Sequence, residues 1–441
     1  MNGDADSLLM LTSYFVLKLV LAAFWAGSLL VLRDVREAFA EVGRPVWIAL
    51  LILVAAYVFV LQPFVPHTVW QPNNHGAGAA IGLIDGGVPA DMMPTHGAGS
   101  YLLLRTLHRF LFFGAVSIFT TAYVVSAASL VLLFLVARRL VRSDLAALSA
   151  ALVLALSPSR LRIAATEAQT IPVEFFLLAA FLHFLLFMDT RKARFFLLGL
   201  AATALMMQTR LEFMLFGPAL VATLFLVIDP RALLAALRSR ACLGGVGAFV
   251  LLMTPWALRL GIAIDPRAGS MTELAATTFS QVSRGWRDWR IFLNPFFDPR
   301  YGPRLFVALF GVGVVALALR NRRTLALAFM AWVPLGLFFG IHTGGLSTHI
   351  RTHAVSLFAL ALVTGAGVDA LARIVRFAVV RRGLVAAMAA GSVASLVPFG
   401  AFLGERYSSQ VEFDFLLEAR EGLPGDAAVA VLLPEDGPPS I

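Results

Sequence analysis

Long apolar runs recur along the whole chain and restrict what it can fold into. We count about twelve runs, most of them near the roughly 20 residues that a helix needs to cross a membrane. Strands of a transmembrane barrel would be shorter and would alternate in polarity. The sequence therefore predicts an all-α polytopic membrane protein with about 12 transmembrane helices. The runs cover approximately residues 8–32, 46–64, 114–136, 145–156, 171–188, 195–207, 213–228, 242–264, 305–319, 325–341, 354–371 and 384–403.

The composition agrees with this fold class. The chain is 59% hydrophobic and 14% charged, whereas a soluble domain carries about 25% charged residues. The net charge of +9 lies mostly on short loops between the runs. That pattern is typical of a protein surrounded by membrane lipids, so we expect no nucleic-acid partner. The single cysteine, Cys242, excludes an intramolecular disulfide and a cysteine-based metal site.

Alternate loops carry compact clusters of basic residues, which predicts the topology. The positive-inside rule assigns these loops to the cytoplasm, including those with Arg138, Arg191 and Arg322. The loops with His75 and Glu167 then face outward. We predict a transmembrane domain over residues 1–403, with an outer loop at 65–112, an outer segment at 265–304 and interfacial helices in both. Residues 404–441 are predicted to be an external acidic tail, a short α/β fragment that packs on the bundle or begins a soluble domain.

One polar stretch, Trp70–Arg109, interrupts the apolar pattern. A loop of this kind must lie outside the bilayer or line a cavity, and such loops commonly carry function. The spacing of its histidines is no known metal motif, so we expect no cofactor, with a divalent metal as the alternative if the outer loops converge. The residues of interest are Asn73, Asn74, His75, Asp85, Asp91 and His96.

A second polar patch, RLRIAATEAQ, follows the short fourth run. Glu167 in this patch and Glu174 are seven residues apart, so on a helix they would share a face to within about 20°. Glu174 falls just inside an apolar run, which indicates a functional residue, a helix cap or the partner of an arginine. Arg160 and Arg162 are predicted either to bind phosphate or to lie among lipid headgroups.

The layout resembles the GT-C superfamily of polytopic glycosyltransferases, which includes lipid-A aminoarabinose transferases and protein O-mannosyltransferases. The first outer loop carries QPNNHG, AGAAIGLIDGGVP and PTHGAGSYLLL in the superfamily's order. The segment RLRIAATEAQTIPVEFFLLAAFLHFLL would place the second acidic residue of the superfamily at Glu167. A third likeness is RKARFFLLGLAATALMMQTRLEFMLFGPAL. The resemblance spans residues 45–260.

The resemblance implies transfer of a sugar from a polyprenyl-phosphate donor to a lipid, glycan or protein acceptor. The reaction would occur at the outer face of the bacterial inner membrane. The superfamily's first loop normally offers an aspartate as the base, but Asn73-Asn74-His75 stands at that place. Histidine can accept a proton near neutral pH and asparagine cannot. The catalytic residues implied are therefore His75 with Glu167, or Asp85 or Asp91 in place of His75.

The leaving lipid phosphate requires cations and polar groups near the outer surface. Two rival functions stay open. One is a transporter or flippase of a lipid-linked or anionic solute, although the chain has neither an internal repeat nor matching broken helices. The other is a GT-C scaffold without catalysis. The substrate-binding residues that the resemblance implies are Asn73, Asn74, His96, Arg160, Arg162, Arg210, Arg259, His349 and Arg351.

Overall fold

The computed structural model describes residues 2–65, 103, 117–166, 170–209, 213–264, 304–341, 354–375, 378–394 and 396–404. Every regular element within these ranges is helical, which confirms the predicted all-α class. The acidic tail, its strand and nearly all of the two predicted interfacial segments lie outside the described residues. They stay predictions.

The α-helices follow the predicted runs closely. Four turns of other helical type occur among them in the described residues, a π-turn at Tyr57–Leu61 that continues α3 and 3-10 turns at Gln62–Phe64, Ala354–Ser356 and Val397–Phe399. The α-helices are α1 Asn2–Leu30, α2 Leu32–Ala38, α3 Arg44–Ala56, α4 Ser117–Val141, α5 Asp144–Ala155, α6 Pro158–Ala164, α7 Thr170–Thr190, α8 Ala193–Thr209, α9 Phe213–Ile228, α10 Pro230–Arg238, α11 Arg240–Ile264, α12 Arg304–Arg320, α13 Arg322–Ile341, α14 Leu357–Ile374, α15 Ala378–Ala394 and α16 Gly400–Gly404.

Several of these helices are long and apolar enough to cross a membrane. Among the described residues four qualify by length and composition alone, namely Arg44–Phe64, Thr121–Val141, Thr170–Thr190 and Leu357–Ile374. The number rises to seven if each bent helix pair is one span. The structure thus supports a multi-pass protein, while the predicted number of twelve stays a prediction.

Helix α7 forms the centre of the bundle. All of its residues from Thr170 to Met188 are buried. A helix that is apolar on every side belongs inside a bundle, and α7 packs on α4 and α8. Aromatic edge contacts join it to its neighbours, since Phe184 lies 5.6 Å from Phe196 and 5.2 Å from Phe225 between ring centroids.

Helix α14 makes close backbone contacts with both α5 and α12, and glycines permit them. A methyl group at Gly365 would overlap the carbonyl oxygen of Ala146 in α5. A methyl group at Gly313 of α12 would overlap the carbonyl oxygen of Val363 in α14. Small residues of this kind let membrane helices pack through their backbones.

This packing predicts a strong effect for a single methyl group. Gly313→Ala is expected to lower the free energy of unfolding by about 3 kcal/mol, because backbone atoms must move apart to admit it. Gly311→Ala is the matched control, since Gly311 lies on the same helix with no atom within 4 Å of an added Cβ. Unfolding of both variants in mixed micelles by added SDS gives the comparison. Equal stabilities would show that α12 and α14 are not in backbone contact.

Candidate functional site

One end of the bundle brings together the helix ends that lead into the polar segments. Helices α7 and α8 are joined by a tight turn at Arg191–Lys192, so Thr170 and Thr209 both lie at the opposite end. The 3-10 turn Ala354–Ser356, which follows the His349 segment, packs on α6 and α7 at this end. The described residues that border 167–169, 210–212 and the end of 342–353 therefore meet here. Val65, which precedes 66–102, joins α4 through the hydroxyl of Tyr123 at 3.5 Å.

A sharp break in the chain positions the first charged residue of this end. Helix α5 ends at Ala155, and α6 leaves it at an angle of 63°. Pro158 stands at the first position of α6, where its missing N–H costs nothing. The short helix is buried along its whole length and carries both Arg160 and Arg162 inward. The fourth predicted run, residues 145–156, ends within one residue of the end of α5.

Arg160 forms a buried ion pair with Glu174 of α7. Both side chains are 0% exposed. Nε of Arg160 lies 3.1 and 3.0 Å from the two carboxylate oxygens of Glu174, and Nη2 lies 2.7 Å from Oε1. This forked geometry is the strong form of the arginine–carboxylate interaction. Of the three interpretations that the sequence left for Glu174, the arginine partner is the one observed.

Three further polar residues complete the surroundings of the ion pair. Arg160 donates from Nη2 to the backbone oxygen of Ser126, at 2.9 Å, and from Nη1 to the hydroxyl of Tyr57, at 3.3 Å. That hydroxyl lies 2.5 Å from Ser126 Oγ and accepts from Gln62 Nε2 at 2.8 Å. We call Tyr57, Gln62, Ser126, Arg160 and Glu174 the buried polar network. It connects α3, α4, α6 and α7.

Some hydrogen-bonding capacity at this end is unused. Within the described part of the chain, Gln62 Oε1 and Thr170 Oγ1 are buried without a hydrogen-bond partner. Unsatisfied buried polar atoms are rare and commonly indicate a missing ligand, water or segment. The network itself is electrically balanced, because its one arginine pairs with its one carboxylate. It is therefore suited to holding α6 and the start of α7 in place for groups that lie beside them.

The structure places only part of the predicted site. Arg160 lies in the buried network, Arg162 is 4% exposed on α6, and Arg259 falls within α11 near its end. Arg160 directs its donors into the protein, whereas the sequence suggested phosphate or lipid headgroups. Sequence reasoning missed Tyr57, Gln62 and Ser126. The remaining predicted residues lie outside the described residues: Asn73, Asn74, His75, Asp85, Asp91, His96, Glu167, Arg210, His349 and Arg351.

The metal alternative is not decided by the described residues. They contain no group of three histidine, cysteine, aspartate or glutamate side chains able to hold a metal ion. The loop histidines His67, His75 and His96 are not among them. A divalent metal in the outer loops therefore stays an untested alternative.

The helical bundle and its buried charged network define a polytopic α-helical membrane protein with a polar end. Comparison with protein families adds a match over residues 96–258 to the model of the dolichyl-phosphate-mannose-protein mannosyltransferase family. The match covers less than half of the chain. A comparison with curated protein sequences finds no significant match.

Solved structures share this fold. ArnT from Cupriavidus metallidurans bound to undecaprenyl phosphate aligns with a TM-score of 0.56 at 14% identity, over 82% of this chain and 77% of that one. The apo state of the same ArnT gives 0.55 at 14% identity, over 82% and 66%. The Archaeoglobus fulgidus oligosaccharyltransferase in complex with Zn and sulfate gives 0.52 at 14% identity, over 86% and 55%. The chain therefore spans little more than half of the oligosaccharyltransferase.

The resemblance to the GT-C superfamily that the sequence motifs indicated is thus confirmed, by a family model over the middle of the chain and by the fold. At 14% identity, the structural likeness establishes the architecture alone. Which reaction this chain performs has to be argued from its own residues.

Proposed function

We propose that this protein is a membrane glycosyltransferase that uses a polyprenyl-phosphate-linked sugar as its donor. The acceptor is a lipid, glycan or protein at the outer face of the bacterial inner membrane. The observation that carries the proposal is the polar end of the bundle. There the buried polar network stands beside the helix ends that lead into every polar segment predicted to be catalytic.

The matched family and one of the similar structures both concern lipid phosphates. The family model is that of enzymes named for dolichyl-phosphate mannose, and one ArnT structure holds undecaprenyl phosphate. In this chain the family match begins at His96 and includes α4 to α8, which contain Ser126, Arg160 and Glu174. The matched region therefore includes most of the network.

We assign roles to the residues as follows. His75, or failing it Asp85 or Asp91, removes the proton from the acceptor, and Glu167 orients the acceptor or a cation beside the donor phosphate. Arg162, Arg210, Arg259 and Arg351 supply positive charge for the leaving phosphate. Asn73, Asn74, His96 and His349 hydrogen-bond the sugar. Arg160 acts as a positioning residue, because Glu174, Tyr57 and Ser126 engage its donors.

The test of the proposal is direct transfer. Purified protein is incubated with a panel of radiolabelled undecaprenyl-phosphate sugars and with membrane lipid, glycan and peptide acceptors, and labelled product is measured. We expect product from at least one donor. Labelled lipid that binds and is never consumed would instead favour the scaffold without catalysis. Accumulation of intact labelled lipid across a vesicle membrane would favour the flippase.

The same assay tests Glu167. Glu167→Gln keeps the shape of the side chain and removes its charge, and we expect turnover to fall about a hundredfold, the usual effect of losing one preorganised electrostatic group. Glu41→Gln is the matched control, because Glu41 is exposed in the short link between α2 and α3. Both variants should elute as the parent does in gel filtration. Parental turnover by Glu167→Gln would remove Glu167 from the site.

A further inference from the structure

The helix ends opposite the buried polar network line a polar cavity that is partly open to the surface. Its volume is about 590 Å³, within the range of small-ligand sites. The C-terminal ends of α4, α7, α12 and α14 and the first turn of α13 line it. Ser126 of the network and Arg139 of this cavity are separated along α4 by roughly 20 Å, at about 1.5 Å per helical residue. We call this cavity the basic crevice.

The basic crevice carries an excess of positive charge. Each aspartate in its wall is already paired with an arginine of its own. The pairs are Arg139–Asp189, Arg191–Asp229 at 2.6 Å and Arg373–Asp369 at 2.7 Å. Three other arginines of the wall, Arg142, Arg320 and Arg323, have no carboxylate to neutralise them among the described residues.

Cations often stand at helix C-termini simply to complement the helix dipole. Here other groups already perform that task. Asn321 donates to the oxygen of Leu140 at 2.8 Å, and Arg322 donates to the oxygen of Ala318 at 3.0 Å. Arg323 donates to the oxygen of Ile228 at 3.0 Å.

Arg142 and Arg320 differ from these residues. Within the described ranges, neither side chain makes a hydrogen bond or an ion pair. Arg142 also has a φ of 57°, in the left-handed region that usually holds glycine after a helix. The chain thus carries a long cationic side chain at the mouth of the crevice in a backbone conformation that disfavours it. Arg191 has the same conformation, with a φ of 58°, but its side chain pairs with Asp229, whereas Arg142 has no such partner among the described residues.

We propose that the basic crevice binds the phosphate group of an anionic ligand through Arg142 and Arg320. The planar guanidinium fork matches phosphate oxygens better than a point charge does. The ligand is an anionic phospholipid headgroup from the adjoining leaflet or a soluble phosphate from the cytoplasm. Asp189 and Asp369, paired with Arg139 and Arg373, leave the net charge of the wall positive.

Binding by the purified full chain in neutral detergent tests the proposal. Phosphatidylglycerol and phosphatidylcholine are titrated by native mass spectrometry, and inorganic phosphate and pyrophosphate are titrated by thermal shift. The test variant carries Arg142→Gln with Arg320→Gln. The control variant carries Arg36→Gln with Arg238→Gln, which removes the same charge from exposed helix ends outside the crevice.

We expect the test variant to bind its anion about tenfold more weakly than the parent, since two charge-assisted contacts are lost. The control variant should stay within twofold of the parent. Loss for phosphatidylglycerol alone identifies a lipid headgroup, and loss for inorganic phosphate or pyrophosphate alone identifies a soluble ligand.

A third variant keeps both arginines and fills the space. Ala370→Phe projects a ring into the crevice and should weaken the same binding. Equal affinities for all four probes in the parent, test and control variants would overturn the proposal, as would a control variant that loses binding as much as the test variant does.

Discussion

Glu174→Ala is expected to lower the free energy of unfolding by about 3–5 kcal/mol. The reason is that it leaves the Arg160 guanidinium buried and without its counter-charge. Both side chains are 0% exposed, so bulk water does not solvate the guanidinium that loses its carboxylate. Titration of the purified protein with SDS in mixed micelles, followed by helical circular dichroism, measures the change.

Two comparisons separate the ion pair from a general effect of truncation. Glu37→Ala removes the same group from an i, i+4 pair with Arg33, whose side chains are 61% and 88% exposed, and should cost no more than about 1 kcal/mol. The double variant Glu174→Leu with Arg160→Met removes both charges. It should be far more stable than Glu174→Ala alone, because an apolar pair of similar volume needs no compensation.

The remaining members of the network keep their own hydrogen bonds in the double variant, so the comparison measures the ion pair. Tyr57 keeps its hydroxyl contacts with Ser126 Oγ and Gln62 Nε2 when Arg160 is gone. The double variant therefore creates no new unsatisfied hydroxyl. If Glu174→Ala is no more damaging than Glu37→Ala, the buried ion pair does not form in the protein.

Local sequence signals predict the positions of the helices, but they predict the buried polar network only in part. The apolar run at 171–188 and the end of the fourth run at residue 156 both predict what is observed, because a helix boundary depends on neighbouring residues. Glu174 was recognisable because a carboxylate inside an apolar run requires a partner. Gln62, a polar residue ahead of Pro63 at the end of such a run, was a weaker signal of the same kind.

The contacts within the buried polar network could not be predicted from the sequence. Tyr57 and Ser126 look like ordinary residues of apolar helices, and Tyr57 lies 103 residues from Arg160. Only the packing of α3, α4 and α6 brings them together. The basic crevice was still harder to predict from the sequence, because the ends of several separate helices line it. The arginine clusters predicted which face is basic, but not which arginines stay without a carboxylate.

His75→Ala is expected to reduce glycosyl transfer by about 10²–10⁴ while the protein still inserts and unfolds as the parent does. That range is the usual contribution of a general base. The sequence resemblance aligns His75, in Asn73-Asn74-His75, with the acidic base of the superfamily. A neutral imidazole near pH 7 can accept the proton of the acceptor hydroxyl without help from a carboxylate.

Two kinds of variant distinguish this role from a structural one. His75→Asp restores the superfamily's residue type and should recover part of the lost rate, which a histidine that only caps a turn would not require. Asn74→Ala is the matched neighbour, expected to weaken donor binding and to spare the rate at saturating donor. A pH profile adds a readout of its own, because transfer by an imidazole base should fall as the pH drops below about 6.5, where histidine becomes protonated.

The alternative is that one of the two aspartates of the same loop, and not His75, is the general base. If the base is a carboxylate, Asp85→Asn or Asp91→Asn abolishes transfer, His75→Ala remains active, and the acidic limb of the pH profile moves down toward pH 4. That result would place the superfamily's motif later in the loop than the Asn-Asn-His alignment does. Unchanged transfer in all three variants would exclude the first outer loop as the source of the base, and Glu167 would then be the remaining carboxylate among the predicted catalytic residues.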